Sequence, residues 1–193
     1  MDAKKIYKQN LLNHLYSPYK NCTDCPLGTL GRTHVVFGDG NPDSKLMLIG
    51  EGPGREEDKQ GKPFIGRAGK LLSRALEAIG IQRADIFITN IVKCRPPGNR
   101  TPTQEESQTC KKLLLAKQIK IIRPHVICTL GAAAIQGLLD DPSLKISRVR
   151  GKKLDLDGTI IFPTYHPAYI LRNPKELKTL VADLSSAYEL SKT

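Results

Sequence analysis

The stretch KLMLIGEGPG, residues 45–54, joins a short apolar run directly to a glycine-rich loop. An apolar run of this length, bounded by turn residues, is typical of a strand covered on both faces. Glycine lets the backbone approach a ligand closely, because no Cβ stands in the way. The loop does not match a GxGxxG dinucleotide motif, since position 55 is Arg, and it lacks the Walker lysine.

Further strands and helices alternate on both sides of this stretch. Strands are predicted over residues 85–92, 125–130, 152–156 and 159–162, the last two forming a hairpin around Asp157-Gly158. Helices are predicted over residues 4–16, 68–79, 101–122, 132–139 and 173–191, with Thr101 as the N-cap of the third. Such alternation predicts an α/β fold, a three-layer α/β/α sandwich with a central, mostly parallel four-stranded sheet. We expect one domain over residues 1–193, with the N-terminal helix and a turn-rich loop, residues 1–32, packed on it.

Three unusual loops follow predicted strands. They span residues 50–69, 93–100 and 166–173. In parallel sheets the carboxyl ends of the strands lie at one edge, and ligands bind there. The three loops are therefore predicted to form a single site.

The charge balance of the chain favours a polyanionic partner. The chain contains thirty Lys and Arg residues and nineteen Asp and Glu residues, which gives a formal net charge of +11. Clustered cations bind phosphates with counterion release, so nucleic acid is favoured over an anionic membrane surface or no polyanion at all. No apolar run is long enough to cross a bilayer, and the polar start resembles no secretion signal. We therefore expect a cytoplasmic protein without a membrane partner.

Four of the five cysteines are candidates for a metal site. Cys22 and Cys25 form a CxxC pair, and Cys94 and Cys110 follow in a loop and near a helix start. Four thiolates suit either zinc or a [4Fe–4S] cluster, and the spacing differs from paired zinc knuckles. A single redox-active CxxC with two incidental thiols is the alternative. Cys128 lies inside an apolar run and is predicted to be a buried core residue.

Two side chains in the predicted site are candidates for a functional role. Phe64 lies in a glycine-rich loop, where an aromatic ring can stack on a base, although an isolated Phe is more often a core residue. His166 ends a predicted strand and precedes Pro167, in the third loop of the site. A lone His is more often structural, but this one shares its loop cluster with the other candidates.

Four ordered motifs resemble the family 4 uracil-DNA glycosylases. They cover residues 50–54, 62–69, 89–100 and 166–172, and the likeness extends from Cys22 to the last helix. The four cysteines fall where that family holds a [4Fe–4S] cluster, so the resemblance implies this cofactor on Cys22, Cys25, Cys94 and Cys110. It also implies hydrolysis of the N-glycosidic bond of deoxyuridine in double- or single-stranded DNA. A monomer is the default expectation.

The resemblance further implies roles for individual residues. Catalysis is expected from Glu51, which would either position the attacking water or orient the loop while solvent attacks, and from His166, at the charge that develops on uracil. The uracil-binding residues would be Gly52, Glu57, Phe64 and Asn90, with Glu57 near uracil C5 and Phe64 stacked on the base. Candidate DNA contacts are Arg67, Arg100, Ile170, Leu171 and Arg172, of which Ile170 and Leu171 resemble the apolar wedge that replaces a flipped nucleotide. The competing interpretations are a non-catalytic iron–sulfur DNA-binding module and a zinc-bound structural module.

Overall fold

A six-stranded sheet forms the centre of the computed structural model, which describes residues 2–193. Its strands are β1 (Asp39–Gly40), β2 (Leu46–Gly50), β3 (Phe87–Asn90), β4 (Val126–Leu130), β5 (Leu154–Leu156) and β6 (Thr159–Thr164), in the spatial order β1-β3-β2-β4-β6-β5. The inner four strands are parallel, and each edge strand pairs antiparallel with its neighbour. The predicted α/β fold is confirmed, and short edge strands extend the predicted sheet from four strands to six.

Nine α-helices accompany the sheet in residues 2–193. They are α1 (Ala3–Tyr16), α2 (Arg55–Gln60), α3 (Arg67–Glu77), α4 (Gln104–Cys110), α5 (Ala116–Ile122), α6 (Ala132–Leu139), α7 (Ile146–Val149), α8 (Pro167–Arg172) and α9 (Leu177–Ser191). A π-helical turn, Lys111–Leu115, joins α4 to α5, so the predicted helix to Ile122 is one irregular helix.

The side chains of β2 alternate between two cores. Met47 and Ile49 belong to the core shared with α1, α5 and α6, whereas Leu46 and Leu48 belong to the core shared with α3 and α9. All five residues of the strand are buried. Because successive side chains of a strand point to opposite faces, an uninterrupted apolar run is what a sheet covered by helices on both faces requires.

Several predicted boundaries were wrong. The N-cap of α4 is Thr103, not Thr101, because Thr103 forms a capping box with Glu106. The loops predicted over residues 50–69 and 166–173 contain the one-and-a-half-turn helices α2 and α8. Both helices are too short for a periodic apolar pattern to show. The Asp157-Gly158 hairpin is confirmed, with φ of 51° and 83° at the two turn residues.

The N-terminal segment packs on the first core. Leu12 of α1 and Leu27 of the following loop are fully buried there. Lys8 donates from Nζ to the Asp43 carboxylate and to the Ile122 carbonyl, both at 2.6 Å, which ties α1 to the body of the protein. Within residues 2–193, none of the helices has the length and apolar character needed to cross a membrane.

Candidate active site

A cleft of about 710 Å³ lies at the carboxyl ends of β2, β3 and β6. It is bordered by all three loops that the sequence predicted to converge. Nine of the predicted site residues line it: Glu51, Gly52, Glu57, Phe64, Arg67, Asn90, Arg100, His166 and Arg172. Two predicted DNA contacts, Ile170 and Leu171, lie outside it.

Glycine at the end of β2 lets two of these side chains come together. A Cβ on Gly50 would stand 2.4 Å from the Phe64 ring and 2.5 Å from the Asn90 Oδ1 atom. Real Cβ atoms do not approach other atoms so closely, so any other residue would displace the ring or the amide. Gly52 is similarly confined, with a Cβ only 2.8 Å from Val92. The two glycines therefore make room for the floor of the cleft.

Phe64 is held in an unusual backbone conformation, with a φ of 52°. The Arg83 guanidinium donates to the carbonyls of Pro63 and Phe64, at 2.8 and 2.7 Å. Gly69 lies directly beneath, where a Cβ would come within 1.9 Å of the Phe64 carbonyl. A non-glycine residue at positive φ costs energy and persists only where its surroundings enforce it. Arg83 and Gly69 therefore fix the ring that borders the cleft.

The amide of Asn90 has an unsatisfied acceptor. Asn90 is 1% exposed at the end of β3, and its Oδ1 atom has no hydrogen-bond partner within residues 2–193. Leaving a buried polar atom unpaired costs about 1–3 kcal/mol, so native proteins seldom do so without a reason. Asn90 lines the cleft, and a ligand there that reaches this amide would satisfy the acceptor.

His166 presents a defined tautomer to the cleft. Its Nδ1 atom accepts from the Ala168 backbone N–H at 3.0 Å, which caps α8. A neutral ring that accepts at Nδ1 carries its proton on Nε2. Burial, and the nearby charge of Arg172, lower the pKa of His166 to about 4. The ring is therefore neutral at pH 7 and donates from Nε2, beside the Phe64 ring, whose centroid lies 5.7 Å away.

Glu51 is a partly buried carboxylate in the cleft. Burial raises the pKa of Glu51 above its usual 4.5, and a hydrogen bond with Thr101 opposes the rise. A carboxylate so perturbed, in a cleft, is a candidate for acid–base chemistry. The sequence interpretation missed Thr101, which it had placed at the start of a helix.

Glu57 supports the loop that carries Phe64. Its Oε1 atom accepts from the backbone N–H groups of Ile65 and Gly66, at 2.9 and 2.7 Å. Its other oxygen approaches Gly54, where a Cβ would stand 2.8 Å away. Glu57 thus joins the glycine loop to the Phe64 loop, a contact between chain segments that motif spacing alone does not reveal.

The candidate DNA contacts divide into three groups. Arg67 and Arg172 line the cleft and have no carboxylate partner within residues 2–193. Arg100 also lines the cleft, but both its terminal nitrogens bind the buried Glu106 carboxylate, at 2.8 and 2.7 Å. Leu171 is 38% exposed, whereas Ile170 is 1% exposed and belongs to the second core. Ile170 is therefore a core residue rather than a DNA contact, because α8 turns it inward and Leu171 outward.

The four candidate cysteine ligands line one narrow cavity, of about 10 Å³. Burial raises the pKa of all four thiols, to about 12 for Cys94 and about 11 for Cys110. Within residues 2–193, no group of three or more His, Cys, Asp or Glu side chains is arranged to hold a metal ion. The cavity nevertheless brings together four sulfur donors with no His, which is the donor set of a Cys₄ site. Cys128 is fully buried in β4, as predicted.

Lys93 connects this cavity to the cleft and was missed by the sequence interpretation. It is fully buried, and its Nζ atom donates to the Thr89 Oγ1 atom at 2.5 Å and to the Asn90 carbonyl at 2.7 Å. Its backbone N–H donates to the Cys110 sulfur at 3.3 Å. Burial lowers the pKa of Lys93 to about 7. The segment from Asn90 to Cys94 is thus one hydrogen-bonded unit between the cysteines and the cleft.

Comparisons with known proteins show which family this chain is similar to. Residues 37–185 match a family model described as the uracil DNA glycosylase superfamily. A type-4 uracil-DNA glycosylase of Thermotoga maritima is 49% identical, over 91% of this chain and 92% of its own. One of Saccharolobus solfataricus is 44% identical, over 88% of this chain and 82% of its own. A type-5 uracil-DNA glycosylase of Pyrobaculum aerophilum is 29% identical, over 72% of this chain and 66% of its own.

Proposed function

The chain belongs to the uracil DNA glycosylase superfamily, and from that premise we propose that it hydrolyses the N-glycosidic bond of deoxyuridine in DNA, releasing uracil and leaving an abasic site. The observation that carries the proposal is the unpartnered, buried Oδ1 atom of Asn90 in the cleft. A donor is missing at that point, and the N3–H group of uracil is such a donor.

Recognition of the base follows from the residues around this atom. The Oδ1 atom of Asn90 accepts from uracil N3–H, and its amide nitrogen donates to O4. Cytosine carries an acceptor at N3 and a donor at position 4, so both contacts would become repulsive. Phe64 stacks on the base, and the Gly52 backbone N–H donates to a uracil carbonyl. Glu57 fixes the loops of this pocket and stands near C5, where thymine carries its methyl group.

The chemical step is supported by a neutral His166 and by Glu51. As the glycosidic bond breaks, negative charge develops on uracil at O2 and N1, and the Nε2–H group of His166 donates to it. A fixed donor of this kind stabilises the transition state without reorganisation of solvent. Glu51, as a carboxylate, orients the attacking water toward the electron-poor sugar carbon. The sugar keeps the OH group of this water, and its other proton neutralises the released uracil anion.

Access to the base requires the uridine to leave the DNA stack. Leu171 is the exposed apolar side chain that fills the gap left in a duplex. Arg67 and Arg172 bind the flanking phosphates, whereas the charge of Arg100 is neutralised by its pair with Glu106. The proposed substrate is therefore double- or single-stranded DNA that contains uracil. We also propose that the protein acts in the cytoplasm as a monomer, without a membrane partner.

The decisive experiment measures free uracil released from a labelled DNA strand. We expect strand cleavage on subsequent alkali treatment, with DNA containing thymine or cytosine in place of uracil left intact. Binding of uracil-containing DNA without release of the base would contradict the proposed activity and favour a non-catalytic DNA-binding module.

We further propose that Cys22, Cys25, Cys94 and Cys110 hold a [4Fe–4S] cluster. The all-sulfur donor set supports it, as does the likeness to relatives named type-4 enzymes. A bound cluster would supply a cross-link between the N-terminal loop and the segment that carries Asn90. The residues of this segment do the positioning themselves, since Lys93 binds both the Asn90 carbonyl and, through its N–H group, the Cys110 sulfur.

Replacing Cys94 by alanine is expected to lower the bound iron and the melting temperature together. A cross-link that closes the chain loop between Cys25 and Cys94 contributes about 4 kcal/mol to the free energy of unfolding in chain-entropy models. This corresponds to a change in melting temperature of roughly 10 °C for a protein of this size. Iron analysis, visible absorption and thermal unfolding measure the effect. The matched control is Cys128→Ala, which removes a buried thiol outside the cavity and should keep its iron. Zinc without iron in the unaltered protein would contradict the cluster.

Replacing Glu51 by glutamine is expected to lower kcat by up to about 10²-fold and to remove the acidic limb of the pH profile. The carboxylate form is the active one, and the pKa of Glu51 is raised, so kcat should fall as the pH decreases through a value above 4.5. His166 adds no inflection above pH 5, because its pKa is about 4. Steady-state rates between pH 4 and 9 measure this, with the exposed Glu77→Gln as control. An acidic limb that persists in the variant would remove Glu51 from this role.

A further inference from the structure

A second concavity lies on the other side of α8 from the cleft. This α3–α8 groove, of about 350 Å³, is lined by Arg67, Lys70, Leu71, Arg74, Ala75, Ala78, Leu171, Leu177 and Val181. Leu171 and Leu177 are 38% and 41% exposed, so the floor of the groove presents apolar surface to solvent. Leu171 is the proposed wedge for the flipped uridine, but no step of uracil excision accounts for Leu177 or the rest of this surface.

The rim of the groove is positively charged. Arg67, Lys70 and Arg74 lie at three- and four-residue spacings, so they share one side of α3. All three are exposed, and none of them pairs with a carboxylate within residues 2–193. No acidic residue lines the groove. Unpaired cations above an apolar floor match the chemistry of a nucleotide, which carries a phosphate on one side and an apolar sugar or base face on the other.

The groove is continuous with the cleft. Arg67 lines both of them. Helix α8 is the ridge between them, because Tyr169 and Arg172 line the cleft whereas Leu171 lines the groove. A DNA strand whose uridine enters the cleft must therefore either pass Arg67 or cross the ridge at Leu171 to reach the groove.

We propose that the α3–α8 groove binds a nucleotide of the DNA substrate that lies next to the flipped uridine. The apolar floor contacts the sugar or base, and Lys70 and Arg74 bind its phosphates. This inference rests on the proposed function, since it assumes a DNA strand in the cleft. Its consequence is a binding footprint that extends beyond the uracil pocket along α3.

The test measures the dissociation constant for a duplex with a stable abasic-site analogue, which does not depend on catalysis. In Lys70→Glu/Arg74→Glu we expect at least 10-fold weaker binding at low salt. The slope of the logarithm of the binding constant against the logarithm of the salt concentration should also be smaller in magnitude by about 2. In Ala78→Phe, which fills the groove without changing charge, we expect about 10-fold weaker binding. The value of kcat at saturating DNA should stay unchanged in both.

The matched control is Lys152→Glu/Lys153→Glu, the same charge change at an exposed site beside edge strand β5. A second comparison uses duplexes shortened stepwise on each side of the abasic site. Once the groove nucleotide is missing, unaltered protein and groove variants should bind equally. Losses no larger than the control's, or losses that persist on the shortest duplex, would each overturn the proposal. Uracil release by the unaltered protein tests the proposed function separately.

Discussion

Replacing His166 by alanine is expected to lower kcat for uracil release by about 10²–10³-fold, which corresponds to about 2.7–4 kcal/mol of lost transition-state stabilisation. The ring is neutral and fixed with its proton on Nε2, since Nδ1 accepts from Ala168 and burial lowers its pKa to about 4. It therefore donates to the uracil anion as that charge forms. Because the ground state carries little of this charge, the dissociation constant for uracil-containing DNA should change by less than about threefold.

A second variant separates this role from the capping of α8. His166→Asn keeps an acceptor for the Ala168 N–H, since Asn is a good N-cap residue, but its short amide withdraws from the cleft. It should remain as impaired as His166→Ala while recovering any lost melting temperature. His125→Ala, which removes an exposed imidazole that contacts Lys45, serves as the control. Single-turnover rates that stay within about threefold of the unaltered protein in His166→Asn would show that His166 acts only through the helix cap.

Much of the fold could be predicted because its signals are local. The apolar run of β2, the Asp157-Gly158 turn and the glycine loop each depend on neighbours in the sequence. The boundaries that failed did so for other reasons. Thr103 rather than Thr101 caps α4 because Glu106 completes a capping box and also binds Arg100. Helices α2 and α8 are only six residues long each, too short for an apolar periodicity.

The candidate site was predictable as a set of residue types, but not in its supporting contacts. Ile170 and Leu171 are adjacent aliphatic residues, and only the direction of α8 decides that Ile170 is buried. Arg83 holds the Phe64 loop from nineteen positions away. Lys93 has no exposed surface. In the sequence, only the apolar residues before it point to this burial.

Replacing Asn90 by aspartate is expected to lower kcat/KM for uracil by at least about 10³-fold. The variant keeps an acceptor for N3–H but loses the donor to O4, and its carboxylate, if charged, repels that carbonyl. A site built to hydrogen-bond its substrate discriminates strongly, because a mismatched ligand leaves buried polar groups unpaired. Asn90→Leu, which removes donor and acceptor together, should lose a similar factor. Rates on uracil and cytosine in the same sequence measure the change of preference, and the ratio between them should fall in Asn90→Asp.

The product DNA provides an internal control for both variants. Abasic DNA has no base to contact Asn90, so its dissociation constant should be the same for the unaltered protein, Asn90→Asp and Asn90→Leu. The amount of bound iron should also be unchanged. Lys93 donates a hydrogen bond to the backbone carbonyl of Asn90, and a change of the Asn90 side chain leaves that carbonyl in place. Equal losses on uracil-containing and abasic DNA would mean that Asn90 only maintains the structure of the cleft. A loss confined to the base-containing substrate is what its unpartnered Oδ1 atom predicts.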